Sequence, residues 1–411
     1  MADGREHSEI NRRKFLGLGT AAAVSLGQID RVLAKQTAVA PAPPRIRRQV
    51  TLGRTGLQVS DISFGSSSLT DPDLVRHALD RGVTFFDTAE SYRFGLAETA
   101  IGEGLLGVRE RVVLSSKTKA GAGDTQSDMM EALENSLRRL KTDYLDIYFN
   151  HAVNAVERMA NAEWWAFTER AKAQGKIRFR GMSGHGGRLA QCLDYTIDHD
   201  LADVILVAYS YTQDPDFYAR LRHTFDFVAI QTELPRVLDK ARKKNIGVLA
   251  MKTLMGARLN DMRPFERAGG TYAQAAFRWV LSSARVDGVL ISMTSTEAID
   301  EYVAASGDPE IRGEDLRLLA RYAALQDGRY CRHGCGICEG ACPEGVDISE
   351  VLRTRMYDVD YGDRLLAKAD YAKLEGAAAA CLTCTHQACL GACPHGIPIP
   401  EFTRDAARRL G

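Results

Sequence analysis

Four polar side chains stand at or just after the ends of apolar, strand-like segments, where their types could move a proton. Asp87, Lys117 and His151 end three successive segments of this kind, and Tyr92 follows Asp87 by five positions. A carboxylate, an amine, an imidazole and a phenol around one pocket could stabilise an oxygen that gains negative charge, and could protonate it. One such residue alone would more simply face solvent, but three successive strand ends favour a shared pocket.

These four side chains could act together on an oxygen that gains negative charge, such as the oxygen of a carbonyl group that receives a hydride. A free tyrosine has a pKa of about 10 and is a reluctant proton donor at neutral pH. A nearby ammonium favours the phenolate, so we expect Lys117 to lower the pKa of Tyr92. We expect Asp87 to hold Lys117 charged and oriented, and His151 to hydrogen-bond the carbonyl oxygen and position the substrate.

Eight of the nine cysteines lie between residues 331 and 393, in two groups of four that each end in Cys-Pro. The spacings are C-x3-C-x2-C-x3-C-P and C-x2-C-x4-C-x3-C-P, which indicates an internal duplication. The groups are Cys331, Cys335, Cys338 and Cys342, then Cys381, Cys384, Cys389 and Cys393. Such spacing is typical of iron–sulfur sites, with structural zinc or four disulfides as alternatives. The ninth cysteine, Cys192, is expected to be a buried small hydrophobic side chain.

The pattern of the chain from about residue 60 predicts the elements that position the four polar residues. Short runs rich in Val, Ile and Phe alternate with segments of helical period. The predicted strands are Ile62–Ser66, Thr84–Thr88, Val112–Lys117, Leu145–His151, Phe179–Ser183, Val204–Ser210, Gly247–Lys252 and Gly288–Ser292. The predicted helices include Met129–Leu140, Trp164–Gln174, Pro235–Lys244 and Tyr272–Leu281, with N-caps at Asp71 and Asp128.

Eight strands, each followed by a helix, over roughly 250 residues predict an α/β fold of the (β/α)8 or TIM-barrel type. In such a barrel the chemistry lies at the C-terminal ends of the strands. The alternative is a doubly wound open sheet, but no Gly-rich dinucleotide motif follows the first strand.

In order and approximate spacing, Asp87, Tyr92, Lys117 and His151 resemble the catalytic tetrad of the aldo-keto reductases. Two neighbouring sequence segments are also similar to the family. Thr55-Gly56-Leu57 with Val59-Ser60 resembles the start of the family's sequence pattern, and Tyr92–Glu98 with Ile101-Gly102 resembles the family's segment after the second strand. The resemblance covers about residues 50–306. It implies interconversion of a small carbonyl compound and an alcohol at the mouth of the barrel.

The same resemblance implies a nicotinamide cofactor. Ser183 and His185, after the fifth strand, resemble a region that contacts the cofactor in the family. Tyr209 is placed to stack on the nicotinamide ring, with ordinary core or rim packing as an equal alternative. This sequence differs from the family's pattern at two places. Leu206 stands where the family often has Gln, and residues 292–297 contain no Lys or Arg that could bind a 2′-phosphate. The cofactor could therefore be NAD or NADP, or the nicotinamide site could be weakened.

The paired Cys-Pro units resemble dicluster ferredoxins, in which the fourth cysteine of each run binds the other cluster. The resemblance implies two 4Fe-4S clusters in a helical, ferredoxin-like domain over residues 325–411. If this ligand pattern applies here, one cluster is bound by Cys331, Cys335, Cys338 and Cys393, and the other is bound by Cys381, Cys384, Cys389 and Cys342. Clusters move single electrons whereas a nicotinamide transfers a hydride. The clusters are therefore structural, or feed an unidentified cofactor, or serve a barrel that no longer exchanges nicotinamide freely.

Residues 1–40 are predicted to be a targeting segment and linker. Arg12-Arg13, followed by Phe15-Leu16 and a mild apolar run, resembles a twin-arginine signal, with a disordered basic tail as the alternative. The apolar run is short for a membrane span. The resemblance implies the twin-arginine export machinery as a partner and a periplasmic location, with membrane association if the signal stays attached.

Composition narrows the classes of function. Lys plus Arg and Asp plus Glu number 53 each, so overall charge gives no reason to expect nucleic acid as a partner. A chain of 411 residues exceeds one usual core, which predicts a large domain and a smaller one. Two classes remain. One is an oxidoreductase that works with a redox partner protein or a membrane electron carrier. The other is an electron-transfer partner protein whose barrel is a non-catalytic binding scaffold.

Overall fold

The computed structural model describes residues 42–213, 233–254, 262–267, 270–326, 331, 337–360, 363–374 and 377–411. The predicted targeting segment, residues 1–40, and the predicted cluster ligand Cys335 lie outside the described residues. Among the described residues, no helix has the length and apolar character that crossing a membrane requires.

Eight parallel strands close into a barrel, which confirms the predicted (β/α)8 architecture and excludes the open sheet. The barrel strands are β3 Ile62–Gly65, β4 Phe85–Asp87, β5 Val113–Thr118, β6 Leu145–Asn150, β7 Ile177–Gly184, β8 Val204–Ala208, β9 Gly247–Met251 and β10 Gly288–Ser292. Neighbouring strands pair in chain order, and β10 closes the barrel against β3. The helices between and after them are α1 Pro72–Asp80, α2 Leu96–Gly104, α3 Gln126–Leu140, α4 Val156–Ala160, α5 Ala162–Ala173, α6 Leu189–Asp198, α7 Leu234–Lys243, α8 Tyr272–Leu281, α9 Thr296–Val303 and α10 Gly313–Gln326.

Alternation along the strands separates two hydrophobic cores. Ile147 and Phe149 of β6 belong to the cluster inside the barrel, whereas Tyr148 between them packs in the cluster under the helices. Successive side chains of a strand point to opposite faces, so one strand supplies both cores. All positions of β5 and β6 are buried, as expected when helices cover the outside of a parallel barrel.

A short antiparallel hairpin, β1 Gln49–Thr51 and β2 Gln58–Ser60, lies at the N-terminal ends of the barrel strands. Its Leu52 is fully buried in the cluster inside the barrel, beside Gly247 at the start of β9. A Cβ at Gly247 would come within 2.7 Å of the Leu52 side chain, so this close approach requires glycine. The hairpin therefore covers the end of the barrel opposite the expected active site.

The predicted helix starts are partly confirmed. Asp71 caps α1, because its side chain accepts a hydrogen bond from the Asp73 N–H at 2.9 Å. Asp128 is not the N-cap of α3. Thr125 is the N-cap, and the Asp128 carboxylate, at the third helical position of a capping box, accepts a hydrogen bond from the Thr125 backbone N–H. The sequence prediction was wrong there because it placed the cap beside the first apolar residue, one turn too late.

In the C-terminal tail, residues 331–411, the described residues form the helices α11 Ile348–Val359, α12 Arg364–Tyr371, α13 Ala388–Ala392 and α14 Ile399–Leu410, together with short 3-10 turns. Its buried residues form a hydrophobic cluster of their own. Residues 44–411 nevertheless form one compact unit, so the division into a barrel domain and a tail domain stays a prediction.

The duplication seen in the sequence is also a duplication of structure. In each copy, a glycine with positive φ donates its N–H to the carbonyl of the Cys-Pro cysteine: Gly345 to Cys342, and Gly396 to Cys393. The twelve-residue helices α11 and α14 each begin six residues after that cysteine and pack against each other. The tail is therefore two related cysteine–turn–helix units.

Candidate active site

A cleft of about 700 Å³ opens at the C-terminal ends of the barrel strands. Its walls include six residues predicted from the sequence: Asp87, Tyr92, Lys117, His151, Ser183 and His185. The volume is in the range of pockets that bind small organic ligands. The structure thus brings the predicted tetrad together in one cleft, whereas the catalytic role of each residue stays a prediction.

Asp87 and Lys117 form an ion pair that is removed from water. The Lys117 ammonium donates hydrogen bonds to the Asp87 carboxylate and, at 2.7 Å, to the Thr88 carbonyl, and Ser115 donates to the same carboxylate at 2.6 Å. Burial raises the pKa of Asp87 and lowers that of Lys117, and the attraction between the two charges opposes both shifts. The pair holds the ammonium in one orientation at the floor of the cleft.

Tyr92 lies above this pair, in a 3-10 turn of residues Tyr92–Gly95 that includes left-handed Arg93 and Phe94. The Lys117 ammonium is 5.1 Å from the centroid of the Tyr92 ring, and the His151 ring meets it edge-on at 5.5 Å. Burial raises the pKa of Tyr92, and the negative charge of Asp87 adds to this effect. The sequence argument predicted a lowered pKa and was wrong in direction, because it counted the nearby ammonium but not the burial of the phenol.

His151 follows β6 directly and is almost fully buried. Its Nδ1 lies 3.4 Å from the Ser91 hydroxyl. Burial lowers the pKa of His151 well below its usual value, and the positive charges of Lys117 and Lys119 lower it further. The imidazole is therefore neutral near pH 7 and can donate one N–H to a ligand oxygen without carrying a charge.

The turn that presents His151 is fixed by β7 and α4. Ala152 has a left-handed backbone, with φ at 53°, and donates its N–H to the Ser183 hydroxyl at 3.0 Å. Arg158 donates to the Asn150 side chain at 2.7 Å and to the His151 carbonyl at 2.8 Å. Ser183 thus supports the turn that presents His151 and also lines the cleft, a role that the sequence did not indicate.

The structure does not place Tyr209 in the cleft. Its side chain is fully buried and packs against Trp279, with the ring centroids 5.6 Å apart. This contact favours the core-packing alternative, while stacking of Tyr209 on a nicotinamide stays a prediction. Leu206, in contrast, does line the cleft from β8. A nicotinamide bound there would meet a leucine at the position where the sequence comparison expected a glutamine.

Residues of the tail also line the cleft, and the sequence analysis missed them. Tyr357 of α11 and Asp363, Leu366 and Asp370 of the following segment form part of its wall. The Lys119 ammonium binds Asp370 at 2.7 Å, which links the end of β5 to the tail. No signal in linear spacing could reveal this contact, since it depends on how the tail folds back over the barrel.

Four cysteines of the tail line one small cavity: Cys342, Cys381, Cys384 and Cys389. They are the second ligand set implied by the ferredoxin resemblance, including the crossed member Cys342. Arg404 lines the same cavity and donates hydrogen bonds to the Cys381 carbonyl at 3.0 Å and to the Cys384 carbonyl at 2.9 Å. Burial and the neighbouring sulfurs raise the pKa of the Cys389 thiol. None of these four cysteines forms a disulfide.

The other predicted ligand set is only partly described. Cys331, Cys338 and Cys393 belong to or pack against the hydrophobic cluster of the tail, and Cys335 lies outside the described residues. Within the described part of the chain, no three His, Cys, Asp or Glu side chains are arranged to hold one metal ion. Cys192 is fully buried in α6, as predicted, and burial raises the pKa of its thiol to about 11.

Comparison with known proteins gives one consistent family. The aldo/keto reductase family model matches residues 64–320. L-galactose dehydrogenase of Arabidopsis thaliana is 25% identical over 312 residues, which are 67% of this chain and 92% of that protein. A methylglyoxal reductase of Escherichia coli is 43% identical over 119 residues, which are 29% of this chain and 40% of that protein.

Solved structures agree with this result. A crystal structure of an aldo/keto reductase from Klebsiella pneumoniae, in complex with NADP and acetate, is 28% identical, with a TM-score of 0.51. The match covers 70% of this chain and 99% of that one. An aldo-keto reductase from Bacillus halodurans, 20% identical with a TM-score of 0.54 over 67% of this chain and 95% of that one, shares the fold.

Proposed function

This chain belongs to the aldo/keto reductase family and is an oxidoreductase, and we propose that it reduces a small carbonyl compound to an alcohol in the cleft at the mouth of the barrel. The observation that carries this proposal is the convergence of Tyr92, Lys117, Asp87 and His151 on that single cleft. The proposal assigns the chemistry to the barrel and not to the cysteine-rich tail.

The side chains of the cleft would divide the reaction as follows. A nicotinamide bound in the cleft supplies the hydride. Tyr92, which burial keeps protonated, gives its proton to the carbonyl oxygen as that oxygen gains charge. Neutral His151 donates a hydrogen bond to the same oxygen, and the Lys117 ammonium beneath the phenol stabilises the negative charge left on Tyr92. Carbonyl, hydride and proton together give the alcohol.

We infer that NADH is preferred over NADPH. The loop after β10 carries no basic residue, and Glu297 stands in the first turn of α9. Hydrogen bonds from its own backbone N–H and from Ser295 lower the pKa of Glu297, so it is anionic and would repel a 2′-phosphate near that turn. The related Klebsiella structure contains NADP. Titration of the protein with NADH and NADPH, followed by nicotinamide fluorescence, tests this preference, and tighter binding of NADPH would contradict it.

A variant pair tests the proposed reaction. NADH-dependent reduction of propanal and glyceraldehyde is measured for the wild type, for Tyr92→Phe and for Tyr195→Phe. Tyr195 is the matched control, since it lies on outer helix α6 and stacks on His199. Loss of the proton donor is expected to lower kcat by about 100-fold or more, and the control is expected to keep its rate. Equal rates in all three proteins would overturn the assignment of Tyr92.

We also propose that the tail binds two 4Fe-4S clusters for electron transfer. The cavity lined by Cys342, Cys381, Cys384 and Cys389 supports this proposal, because cysteines from both copies of the duplication line it. The hydrogen bonds of Arg404 would help to set the reduction potential of a cluster in this cavity. The second cluster would use Cys331, Cys335, Cys338 and Cys393, and a redox partner protein or a membrane carrier would both supply electrons to the clusters and accept them.

Iron analysis after anaerobic purification tests the clusters. The wild type is expected to contain about eight iron and eight sulfide ions per chain. Cys384→Ala is expected to lose about half of both, while Cys192→Ala, which changes a buried cysteine of the barrel, keeps them. Stoichiometric zinc in place of iron, or no metal at all, would overturn the proposal.

We further propose that residues 1–40 direct export through the twin-arginine pathway to the periplasm. The paired Arg12 and Arg13 before the apolar run support this proposal. Fractionation of cells that produce the wild type or a variant with both arginines replaced by Lys tests it. The variant is expected to remain in the cytoplasm, and an unchanged distribution would contradict the proposal.

A further inference from the structure

Helix α11 reaches from the cysteine cavity to the catalytic cleft. Ile348, its first residue, lines the cavity of Cys342, Cys381, Cys384 and Cys389, and Tyr357, nine residues later, lines the cleft. At 1.5 Å per residue these two positions are about 14 Å apart along the helix. The tail is therefore a structural part of the active site. It lies outside residues 64–320, to which the family comparison extends.

Tyr357 is held in a defined position at the cleft. Its hydroxyl accepts a hydrogen bond from Arg353 at 3.0 Å and lies 3.5 Å from Nε2 of His185. The Lys252 ammonium is 5.1 Å from the centroid of its ring, and only 6% of the residue is exposed. Arg353 in turn forms an ion pair with Glu350 one turn earlier on the same helix. These contacts fix the phenol from both the barrel and the tail.

The hydrogen bond from Arg353 determines the direction in which the Tyr357 O–H points. Because Arg353 donates to the oxygen, the Tyr357 O–H points away from the guanidinium. The distance of 3.5 Å between the Tyr357 hydroxyl oxygen and Nε2 of His185 is long for an O–H···N hydrogen bond. A hydroxyl or carbonyl oxygen of a ligand at about 2.8 Å would compete well for this proton. The cleft would then offer donors at two places, Tyr92 at the reacting carbonyl and Tyr357 farther along the substrate.

We propose that Tyr357 is a specificity-determining residue that the tail supplies to the barrel, and that it binds a second oxygen of the substrate. This inference rests on the proposed function and names a substrate class: carbonyl compounds with a neighbouring hydroxyl or second carbonyl group, of the hydroxyaldehyde type. The ion pair between Lys119 and Asp370 keeps the tail against the barrel mouth, so the donor is in place before the substrate binds. A site built to hydrogen-bond a substrate oxygen discriminates against an analogue that lacks it.

The test compares two three-carbon aldehydes that differ in their hydroxyl groups, glyceraldehyde and propanal. In Tyr357→Phe, kcat/KM for glyceraldehyde is expected to fall by about tenfold or more, and kcat/KM for propanal by less than about twofold. Tyr371→Phe is the matched control, since this tyrosine packs in the core of the tail, and it is expected to change neither value. Thermal unfolding of both variants verifies that the tail remains folded.

Two results would overturn the inference: an equal loss for both aldehydes, or no loss for glyceraldehyde. If the wild type reduces neither aldehyde, the proposed function fails, and Tyr357 is judged by calorimetric binding of glyceraldehyde alone. Weaker binding to Tyr357→Phe than to the wild type would then still support the contact. Equal binding would overturn it.

Discussion

The ion pair of Asp87 and Lys117 has a large energetic effect at the scale of single residues. Both side chains are almost fully buried, at 3% and 1% exposure. Two charges removed from water stabilise each other only as a pair, so loss of one partner leaves an uncompensated buried charge. This cost explains why both Lys117 and Ser115 donate hydrogen bonds to the carboxylate.

Lys117→Met is therefore expected to lower the free energy of unfolding by about 3–5 kcal/mol. The double variant Asp87→Asn with Lys117→Met is expected to recover much of this loss, because no buried charge remains. Denaturant unfolding of the two proteins and the wild type measures both effects. A single variant as stable as the wild type would show that the pair is more hydrated than its burial indicates.

The pKa shifts of Tyr92 and His151 predict an unusually flat pH profile. The pKa of Tyr92 is raised above about 10, so the phenol keeps its proton through the alkaline range. The pKa of His151 is lowered below about 6.5, so the imidazole stays neutral through the mildly acidic range. The value of kcat/KM for carbonyl reduction is thus expected to stay constant from about pH 6.5 up to the alkaline range in which Lys117, whose pKa is also lowered, loses its proton. A transition in the mildly acidic to neutral range above about pH 6.5 would contradict the assignment.

Sequence reasoning identified four residues that line one cleft, but not their environment. Asp87, Tyr92, Lys117 and His151 could be found because their types follow strand ends in a fixed order. The direction of the Tyr92 pKa shift and the core position of Tyr209 could not be found, since both depend on what surrounds a side chain in three dimensions.

At the scale of elements, the turn after β6 depends on a hydroxyl from β7. Ala152 adopts a left-handed conformation, which costs energy for a residue with a Cβ, and the Ser183 hydroxyl accepts its N–H. Without that acceptor the partly buried N–H would lose its hydrogen bond. The position of His151, which precedes Ala152, therefore depends on Ser183.

Ser183→Ala is expected to cost about 1–3 kcal/mol of stability and to lower kcat/KM by more than the same change at an unrelated site. Ser282→Ala provides that site, because Ser282 bonds the Trp279 carbonyl at the end of α8. Unfolding and steady-state kinetics are measured for both variants. Equal kinetic effects would show that the turn holds His151 without the hydroxyl.

The barrel strands were predictable because their burial is regular. All eight predicted strands are present, and each boundary differs from the prediction by two residues or fewer. The hairpin of β1 and β2 was missed, since strands of three residues leave too short a pattern to recognise. The cap of α3 was misplaced by three residues for a similar local reason, as two acceptors, Thr125 and Asp128, compete in one turn.

At the scale of the whole molecule, the tail is joined to the barrel at the active site. Asp370 binds Lys119 of the barrel and Lys373 of the tail. Burial raises the pKa of Asp370, but the two ammonium groups outweigh it and lower the pKa overall. A carboxylate with a lowered pKa stabilises the folded state above its unfolded value of about 3.9, and this stabilisation is lost as the pH falls through the folded pKa. The contact is therefore intact near neutral pH.

Asp370→Asn is expected to loosen the tail without unfolding the barrel. A partly buried pair of this kind contributes about 1 kcal/mol, which corresponds to a roughly fivefold faster opening of α12 in hydrogen exchange. Asp239→Asn, which breaks a pair with Arg285 on the outside of the barrel, should leave exchange in α12 unchanged. Unchanged exchange in both variants would show that packing alone keeps the tail in place.

The central claim is that the barrel reduces the carbonyl by hydride transfer, and that electrons from the tail do not carry out this step. Its most direct test is anaerobic turnover of propanal with NADH that carries two deuterium atoms at C4 of the nicotinamide, with the product alcohol analysed by mass spectrometry. The account predicts one deuterium on the carbinol carbon of each product molecule, in the wild type and equally in Cys384→Ala. Product alcohol without deuterium would contradict it, because the hydrogen would then have come from solvent.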